Sequence, residues 1–427
     1  MVTQSKNIIR YFNSILLLIL LSGLTPLAAA EIEFGGHLKF FYTYSDFPDK
    51  SVFYEQADPY RESLGNLRLK AEANTGNWDG QLHYVLNGLY STDLNNCYLR
   101  GGISGRGCRE LASDQTQLLD LSSIISESDD YVLYQRIDRL LVAYATEKLV
   151  TRVGRQAISW GNGVVYNPLD LFNPFPPDAI DTEYKPGEDM LYLQGLFSNG
   201  SDLQALYIPR RDPVSGDVTS AQSALAGKYH WLSAGHEVDF LAAINYGDAV
   251  LGTAYTGEWN DNVVSASLSM TQTDSGNVWS AQTSYNYSAM LYQKNLSGFV
   301  EFFYNGFGLK GDQHSFQDVV DQDDLFSRLL RGELYTIGRF YVATGAVLEA
   351  TPLLNLNPIL FVNLSDGSAL LQFIGTYSLS QNFDLLAGFN LPMGKDGTEY
   401  GGLETESEQG KVVAPADTLF ARLAWYF

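Results

Sequence analysis

The last nine residues constrain the fold of this 427-residue sequence more than any other part. They read Leu419-Phe420-Ala421-Arg422-Leu423-Ala424-Trp425-Tyr426-Phe427. Successive side chains of a strand point to opposite faces, so one face of this strand carries only apolar residues. The residues on that face are Leu419, Ala421, Leu423, Trp425 and Phe427. A final amphipathic strand with an aromatic last residue is typical of barrels that are inserted into the bacterial outer membrane.

The beginning of the sequence predicts export. Lys6 and Arg10 precede the apolar run 15–21, which is too short to span a bilayer. Ala28-Ala29-Ala30 then offers a small-residue cleavage site. We therefore interpret residues 1–30 as a signal peptide and residues 31–427 as a single mature domain.

Residues 31–427 contain no pattern of a transmembrane helix, but apolar and polar residues alternate along many short segments. A bilayer admits only helices and closed barrels, because every backbone amide must be satisfied internally. Alternation over about ten residues indicates a barrel strand, with apolar rows toward lipid and polar rows toward the lumen. We place eighteen strands near 31–45, 61–74, 79–91, 131–145, 148–156, 188–198, 201–211, 222–233, 237–247, 249–259, 262–272, 278–288, 295–305, 335–350, 354–364, 367–378, 382–392 and 416–427.

The connections between these strands agree with a barrel. All connections at one end are short, as expected of periplasmic turns. The long ones fall at the other end, near 92–130, 157–187, 306–334 and 393–415. The predicted fold class is all-β: a transmembrane antiparallel up-and-down β-barrel of about eighteen strands in a Gram-negative outer membrane. Sixteen strands remain an alternative, and a soluble periplasmic β-protein is the competing class. A barrel of this size holds either water or a plug formed by its own loops.

The charge excludes nucleic acid as a partner, because the formal net charge is −22. Many acids lie in the predicted outer loops, for example at 318–324 and 404–408. They either bind divalent cations that bridge to lipopolysaccharide or keep the surface solvated. Outer-membrane lipid and lipopolysaccharide are therefore the expected surroundings.

The cysteines and histidines indicate a disulfide rather than an enzyme. Cys97 and Cys108 are the only cysteines and lie in one loop, so we predict a disulfide between them in an oxidising compartment. The five histidines show none of the spacing with Ser or carboxylates that a hydrolase needs. We predict no enzymatic activity, no metal site and no cofactor.

One segment, 154–187, interrupts the alternation. It combines Gly161-Asn162-Gly163 with several prolines and aromatic residues, which is typical of a fixed irregular conformation. Such a loop either folds into the lumen and narrows it or packs on the outer rim. The candidate constriction residues are Arg152, Arg155, Gln156, Trp160, Asn162, Tyr166, Asp170 and Phe172.

Basic residues on the predicted strands are expected to face water, because an arginine facing lipid at the midplane costs about 2–4 kcal/mol. Inward cations favour anions. The candidate pore-lining residues are Arg68, Lys70, Arg136 and Glu301. Glu72, Asp138, Glu301 and Glu349 can also pair with such cations, so a structural ladder and an anion filter are both open. Arg155 has the opposite parity to Arg152 and is expected at the rim or past a bend.

Several motifs carry a resemblance. These are Gly154-Arg155-Gln156-x-Ile158-Ser159-Trp160-Gly161-Asn162-Gly163, Asn167-Pro168-Leu169-Asp170-Leu171-Phe172, Glu301-Phe302-Phe303-Tyr304-Asn305-Gly306 and Asn363-Leu364-Ser365-Asp366-Gly367-Ser368. The sequence resembles a poorly characterised family of porin-like proteobacterial outer-membrane barrels. That family is similar in turn to the alginate-export channel, an eighteen-stranded barrel with a basic lumen. The resemblance implies a barrel fold and a transport role, but not alginate as substrate.

These patterns predict an outer-membrane channel, a porin or exporter, that passes small polar, preferentially anionic solutes or polysaccharide. The alternative is a non-conducting barrel that serves as the outer-membrane component of an envelope lipid or polysaccharide transport system. Further expected partners are the barrel-assembly machinery, through Phe427, and periplasmic transport proteins.

Overall fold

Antiparallel strand pairing follows the chain and returns to its start. The computed structural model describes residues 31–54, 59–94, 114–405 and 410–427. Strand β1 (Glu31–Asp46) pairs with the next strand, β2 (Tyr60–Thr75), and also with the last strand, β21 (Asp417–Tyr426). The sheet is therefore closed into a barrel.

The remaining barrel strands follow one another around the ring in chain order. They are β3 (Trp78–Ser91), β5 (Tyr131–Ala145), β6 (Leu149–Gln156), β7 (Glu188–Leu196), β8 (Asp202–Ile208), β9 (Ala224–Ser233), β10 (His236–Asn245), β11 (Asp248–Trp259), β12 (Asn262–Thr273), β13 (Gly276–Leu291), β14 (Lys294–Tyr304), β15 (Phe340–Thr351), β16 (Leu354–Asn363), β17 (Ser368–Ser380) and β18 (Phe383–Met393). The closed ring has eighteen strands, which confirms the predicted fold class and count. The alternative of sixteen strands is wrong.

The two faces of the strands alternate as predicted. On β12, Ser265, Ser267 and Ser269 are buried toward the lumen, whereas Leu268 between them is exposed on the outside. The last strand follows the same rule, because Leu419, Leu423, Trp425 and Phe427 are exposed, whereas Phe420 and Ala424 are buried. A closed barrel with an apolar outer surface satisfies its own backbone and presents apolar side chains to lipid. The chain is thus a bacterial outer-membrane protein.

The turns at one end of the barrel are short, for example 76–77, 234–235 and 260–261. Asn260 and Asp261 both have positive φ, 51° and 61°, which is the backbone of a two-residue type I′ hairpin turn. The long connections between barrel strands, 92–130, 157–187, 305–339 and 394–416, lie at the opposite end. By the usual asymmetry of such barrels, the short turns are periplasmic and the long loops extracellular.

Several elements were not predicted from the sequence, and all of them lie in the long loops. Within the described residues, β4 (Ser122–Glu127) pairs only with β5, and β19 (Leu403–Glu404) pairs with β20 (Val412–Val413). The connection 305–339 contains two helices, α1 (Phe316–Val320) and α2 (Asp323–Arg331). Neither of these described helices is long and apolar enough to cross a membrane. Strand β15 begins at Phe340 rather than near 335, because the chain before it packs with α2.

Two predictions fall outside the described residues. They are the signal peptide 1–30 and the disulfide between Cys97 and Cys108.

Candidate functional site

The connection 157–187, hereafter the inner loop, runs inside the barrel. It leaves the end of β6 and packs first against the wall formed by β8, β11 and β12. The Trp160 indole N–H donates to Gln204 Oε1 at 2.8 Å, and Asn162 Nδ2 donates to the carbonyl of Tyr255 at 2.8 Å. Ser265, an inward residue of β12, donates to the carbonyl of Asn162 at 3.0 Å. The loop therefore lies in the lumen and not on the outer rim.

The second half of the inner loop crosses to the other side of the barrel. Gln372 of β17 donates to the carbonyl of Asp178 at 2.9 Å. Lys39 of β1 then binds Asp181 at 2.7 Å and Glu183 at 2.5 Å. Because these contacts add β1 and β17 to the strands reached by the first half, the loop is attached around the barrel wall.

Glu301 holds the middle of the inner loop. Its carboxylate accepts three successive backbone N–H groups, from Val164 at 2.7 Å, Val165 at 3.1 Å and Tyr166 at 2.6 Å. Gln282 of β13 adds a fourth hydrogen bond at 2.9 Å. Glu301 is 0% exposed, so its negative charge is satisfied entirely by these donors. It was predicted to line the pore; the structure instead places it as a buried anchor beneath the loop.

Aromatic packing fixes the loop further. The ring of Tyr166 stacks on Phe303 of β14, with centroids 4.8 Å apart and an interplanar angle of 11°. Trp160 and Phe172 pack edge to face with ring centroids 5.6 Å apart, within a buried apolar cluster that includes residues of β7–β11. At the base of the loop, Lys185 binds both oxygens of Asp170 at 2.7 Å. The predicted constriction residues Trp160, Asn162, Tyr166, Asp170 and Phe172 thus all belong to one packed loop.

Most inward cations have acidic partners. Arg68 donates to Asp138 at 2.7 Å, and Arg139 binds the same carboxylate at 3.0 Å. Arg68 also lies over the ring of Tyr184 in the inner loop, 4.0 Å from its centroid. Arg136 binds Asp114 at 2.8 Å. For Arg68 and Arg136, these pairs match the predicted alternative of a structural ladder of ion pairs, in which acids compensate the positive charges.

Arg155 does not face the bore. Its guanidinium binds Asp189 at 2.9 Å and Asp114 at 2.5 Å, and its side chain is 1% exposed. Its Nη2 also donates to the carbonyl of Leu119 at 2.6 Å, within the segment 114–121 that precedes β4. The preceding residue, Gly154, has φ of 119°, and a Cβ there would lie 2.1 Å from the carbonyl oxygen of Leu140, so the position requires glycine. Arg155 as a constriction residue is therefore corrected to a buried clamp on that segment.

Two predicted pore residues keep an uncompensated charge. Within the described ranges, neither Arg152 nor Lys70 has an acidic partner. Arg152 lies over the ring of Tyr192, 5.2 Å from its centroid, and Lys70 pairs across the sheet with His83 on the inward face. Both lie in the part of their strands nearer the short turns. Gln156 is buried at the top of β6 opposite Glu188.

Solved structures match this chain in fold. It is similar to a BenF-like porin from Pseudomonas fluorescens Pf-5, with TM-score 0.50, 12% identity and coverage of 93% of this chain and 98% of that chain. The same holds for Acinetobacter baumannii OccAB2, with TM-score 0.51, 12% identity and coverage of 93% and 98%. Pseudomonas aeruginosa OccK11 (OpdR) gives TM-score 0.51, 9% identity and coverage of 93% and 96%. The chain has a porin-like barrel fold.

No protein-family model matches the sequence, and no curated protein matches it. The resemblance to the alginate-export channel therefore stays a prediction.

Three residues that hold the site together were not predicted: Lys185, Asp114 and Asp189. Asp114 is 41 residues from Arg155 along the chain, so only the folded barrel brings them together. The ion pair of Lys185 could have been predicted from the sequence. Lys185 is the single basic residue of the inner loop, among four acids, and a lone cation in an acidic loop predicts an internal ion pair.

Proposed function

We propose that this barrel is an outer-membrane channel for small polar solutes, with the inner loop as its constriction. The observation that carries the proposal is the path of that loop across the lumen, where it packs on the apolar inward residues of β7–β11 and faces the polar inward residues of β12 and β13. The porin-like fold supports the same function. Porin barrels of sixteen to eighteen strands enclose a water-filled channel.

We further propose a preference for anions. Most inward cations are neutralised by acids, so they supply little net field. Arg152 and Lys70 are the exceptions, and uncompensated inward cations attract anions and repel cations. The preference is expected to be modest, because the described residues hold only two such charges.

Reversal potentials across a planar bilayer under a salt gradient test this proposal. The double variant Arg152→Ala and Lys70→Ala should shift the reversal potential toward cation preference. The control is the double variant Lys148→Ala and Lys294→Ala, which removes the same charge from exposed positions in or beside the short turns. An equal shift in both variants, or no shift in the first, would contradict the assignment.

Small solutes fit this lumen better than polysaccharide. The inner loop is bonded to β8, β11 and β12 on one side and to β1 and β17 on the other. An extended polymer would have to displace these contacts together. Flux of a charged oligosaccharide through reconstituted protein at a rate equal to that of its monosaccharide would overturn this part of the proposal.

A second candidate is a non-conducting barrel that is a component of an envelope transport system. The same attachment of the inner loop around the wall favours it, because a tightly bonded loop can also act as a plug. Reconstituted protein without ion conductance, together with specific cross-linking to periplasmic proteins, would support this candidate and reject the channel.

A further inference from the structure

A cavity of about 100 Å³ lies on the side of the inner loop that faces the long-loop end of the barrel. Residues 165–177 of that loop form one wall, and inward residues of β10–β13 form a second wall. The third wall is contributed by α2 and residues 333–336 of the helical loop 305–339. The cavity therefore lies between the two loops that fill this half of the barrel.

Five aromatic rings contribute to the apolar lining of this cavity. They belong to Tyr166, Phe175, Phe303, Phe307 and Tyr335. Two of them, Tyr166 and Phe303, are locked in a stack. Aromatic rings bind a further ring in offset or edge-to-face geometry. The volume is of the same order as the roughly 150 Å³ of an engineered apolar cavity that binds benzene.

Every charged group beside the cavity is already paired. Arg328 of α2 bonds to Asp248 and lies 3.7 Å from Asp324. On the inner loop, Lys185 is paired with Asp170 at 2.7 Å. A third pair joins Arg331 to Glu333 at 2.8 Å. A charged ligand would lose its hydration here without meeting a free counter-charge, so the cavity favours an uncharged ligand.

A few polar groups remain available to orient such a ligand. Thr271 of β12 is buried and lines the cavity, and its hydroxyl makes no hydrogen bond to any described residue. Asn167 uses its side-chain oxygen to accept the N–H of Gly163 at 2.7 Å, which leaves its NH2 group free among the described residues. These groups can bond the hydroxyl or carbonyl edge of a ring whose faces touch the aromatic wall.

We propose that this cavity binds a small uncharged aromatic solute with one hydrogen-bonding edge, and that Thr271 bonds that edge. The proposal rests on the channel function, because it makes the cavity a solute-recognition site on the path to the constriction. It differs from the anion preference in place as well as in chemistry. That preference was assigned to Arg152 and Lys70, nearer the short turns.

Fluorine NMR on the detergent-solubilised full barrel tests the proposal with three probes that share a para-fluorophenyl ring and differ in charge: para-fluorophenol, para-fluorobenzoate and para-fluorobenzylammonium. Protein-free micelles give the blank. Saturable binding that is tighter for the phenol than for either ion is the expected result. Thr271→Val, which keeps the shape but removes the hydroxyl, should weaken phenol binding about 2- to 10-fold, as expected for one hydrogen bond.

The matched control is Thr43→Val on β1. Thr43 also faces the lumen with a buried hydroxyl lacking a partner among the described residues, but it lies outside the cavity. Equal loss in both variants, equal binding of all three probes, or tighter binding of the benzoate would overturn the proposal. Absence of ion conductance with phenol binding intact would reject the channel function and leave the cavity assignment standing.

Discussion

Glu301 shows how one buried carboxylate can hold a loop across a lumen. Three backbone N–H groups point at it from consecutive residues of the inner loop, 164–166. Hydrogen bonds to a charged acceptor are about twice as strong as neutral ones, and here they are shielded from water. A single side chain therefore fixes the position of the loop.

We expect Glu301→Ala to detach the middle of the inner loop from β14. Each hydrogen bond to a charged group is worth about 1.5–3 kcal/mol, so the loss is sufficient to free residues 164–166. Single-channel conductance should rise, and its fluctuations should increase. Glu349→Gln is the control, since Glu349 bonds Asn295 near a short turn. Conductance equal to that of the parent protein in Glu301→Ala would contradict the anchoring role.

Arg155 is the second residue whose role the structure defines. Arg155→Ala would leave Asp114 and Asp189 buried without their main partner, at a cost of about 3–5 kcal/mol. We expect the segment 114–121 to become accessible to proteases, with ion selectivity almost unchanged. A shift in ion selectivity as large as that of Arg152→Ala would contradict this role and indicate that Arg155 lines the pore.

At the scale of elements, the loop 394–416 is held by a buried acid. Glu399 accepts hydrogen bonds from Tyr341 at 2.6 Å and Asn363 at 2.8 Å, both at the outer ends of barrel strands. Burial raises the pKa of Glu399 to about 7, and the nearby Asp366 carboxylate adds to the rise. A detached loop would return this group to an ordinary pKa of about 4.3.

This difference in pKa predicts how the packing of the loop 394–416 on the barrel depends on pH. The packed state is called the seated loop below. Between those two pKa values the seated loop holds a proton that the detached loop has lost, so seating is strongest at low pH. It should weaken by on the order of 3 kcal/mol as pH rises through about 4.3 to 7, and change little above that. Hydrogen exchange of the loop amides, corrected for intrinsic rates, measures the effect.

Glu399→Gln should remove this dependence, because an amide does not titrate. Glu404→Gln, at an exposed carboxylate in the same loop, should leave it intact. Protection that grows with pH in the parent protein would reverse the sign and reject the explanation.

At the scale of the whole molecule, the barrel closes where its first and last strands meet. The backbone N–H of Gly36 donates to the carbonyl of Phe427 at 2.8 Å, and the N–H of Phe427 donates back at 3.1 Å. A Cβ at Gly36 would lie 2.2 Å from the carbonyl oxygen of Arg68 on β2 and 2.9 Å from the Phe427 ring, so only glycine fits between β2 and that aromatic. The terminal residue thus takes part in closure.

We expect Phe427→Ala to slow assembly into the outer membrane, both by weakening closure and by removing the aromatic that the assembly machinery is predicted to recognise. The folded, heat-modifiable species on gels would appear late, while protein already assembled would conduct normally. Gly36→Ala crowds the closure and the neighbouring β1–β2 pairing but keeps Phe427, so normal assembly of this variant would leave recognition of Phe427 as the cause. Normal assembly of Phe427→Ala would contradict both causes.

The sequence alone determined the class of this protein. Alternation along the strands, the aromatic end at Phe427 and the placement of short turns depend on local periodicity, so they could be read without coordinates. The strand count, the two faces and the departure of residues 157–187 from the strand pattern were predicted for that reason.

Only the tertiary structure decided which charges are free. Arg155 and Arg152 differ by three positions, yet one is a buried clamp and the other faces the bore without an acidic partner among the described residues. Their partners come from distant strands and loops. The pairing of buried charges depends on the closed shape of the barrel, which local sequence does not predict.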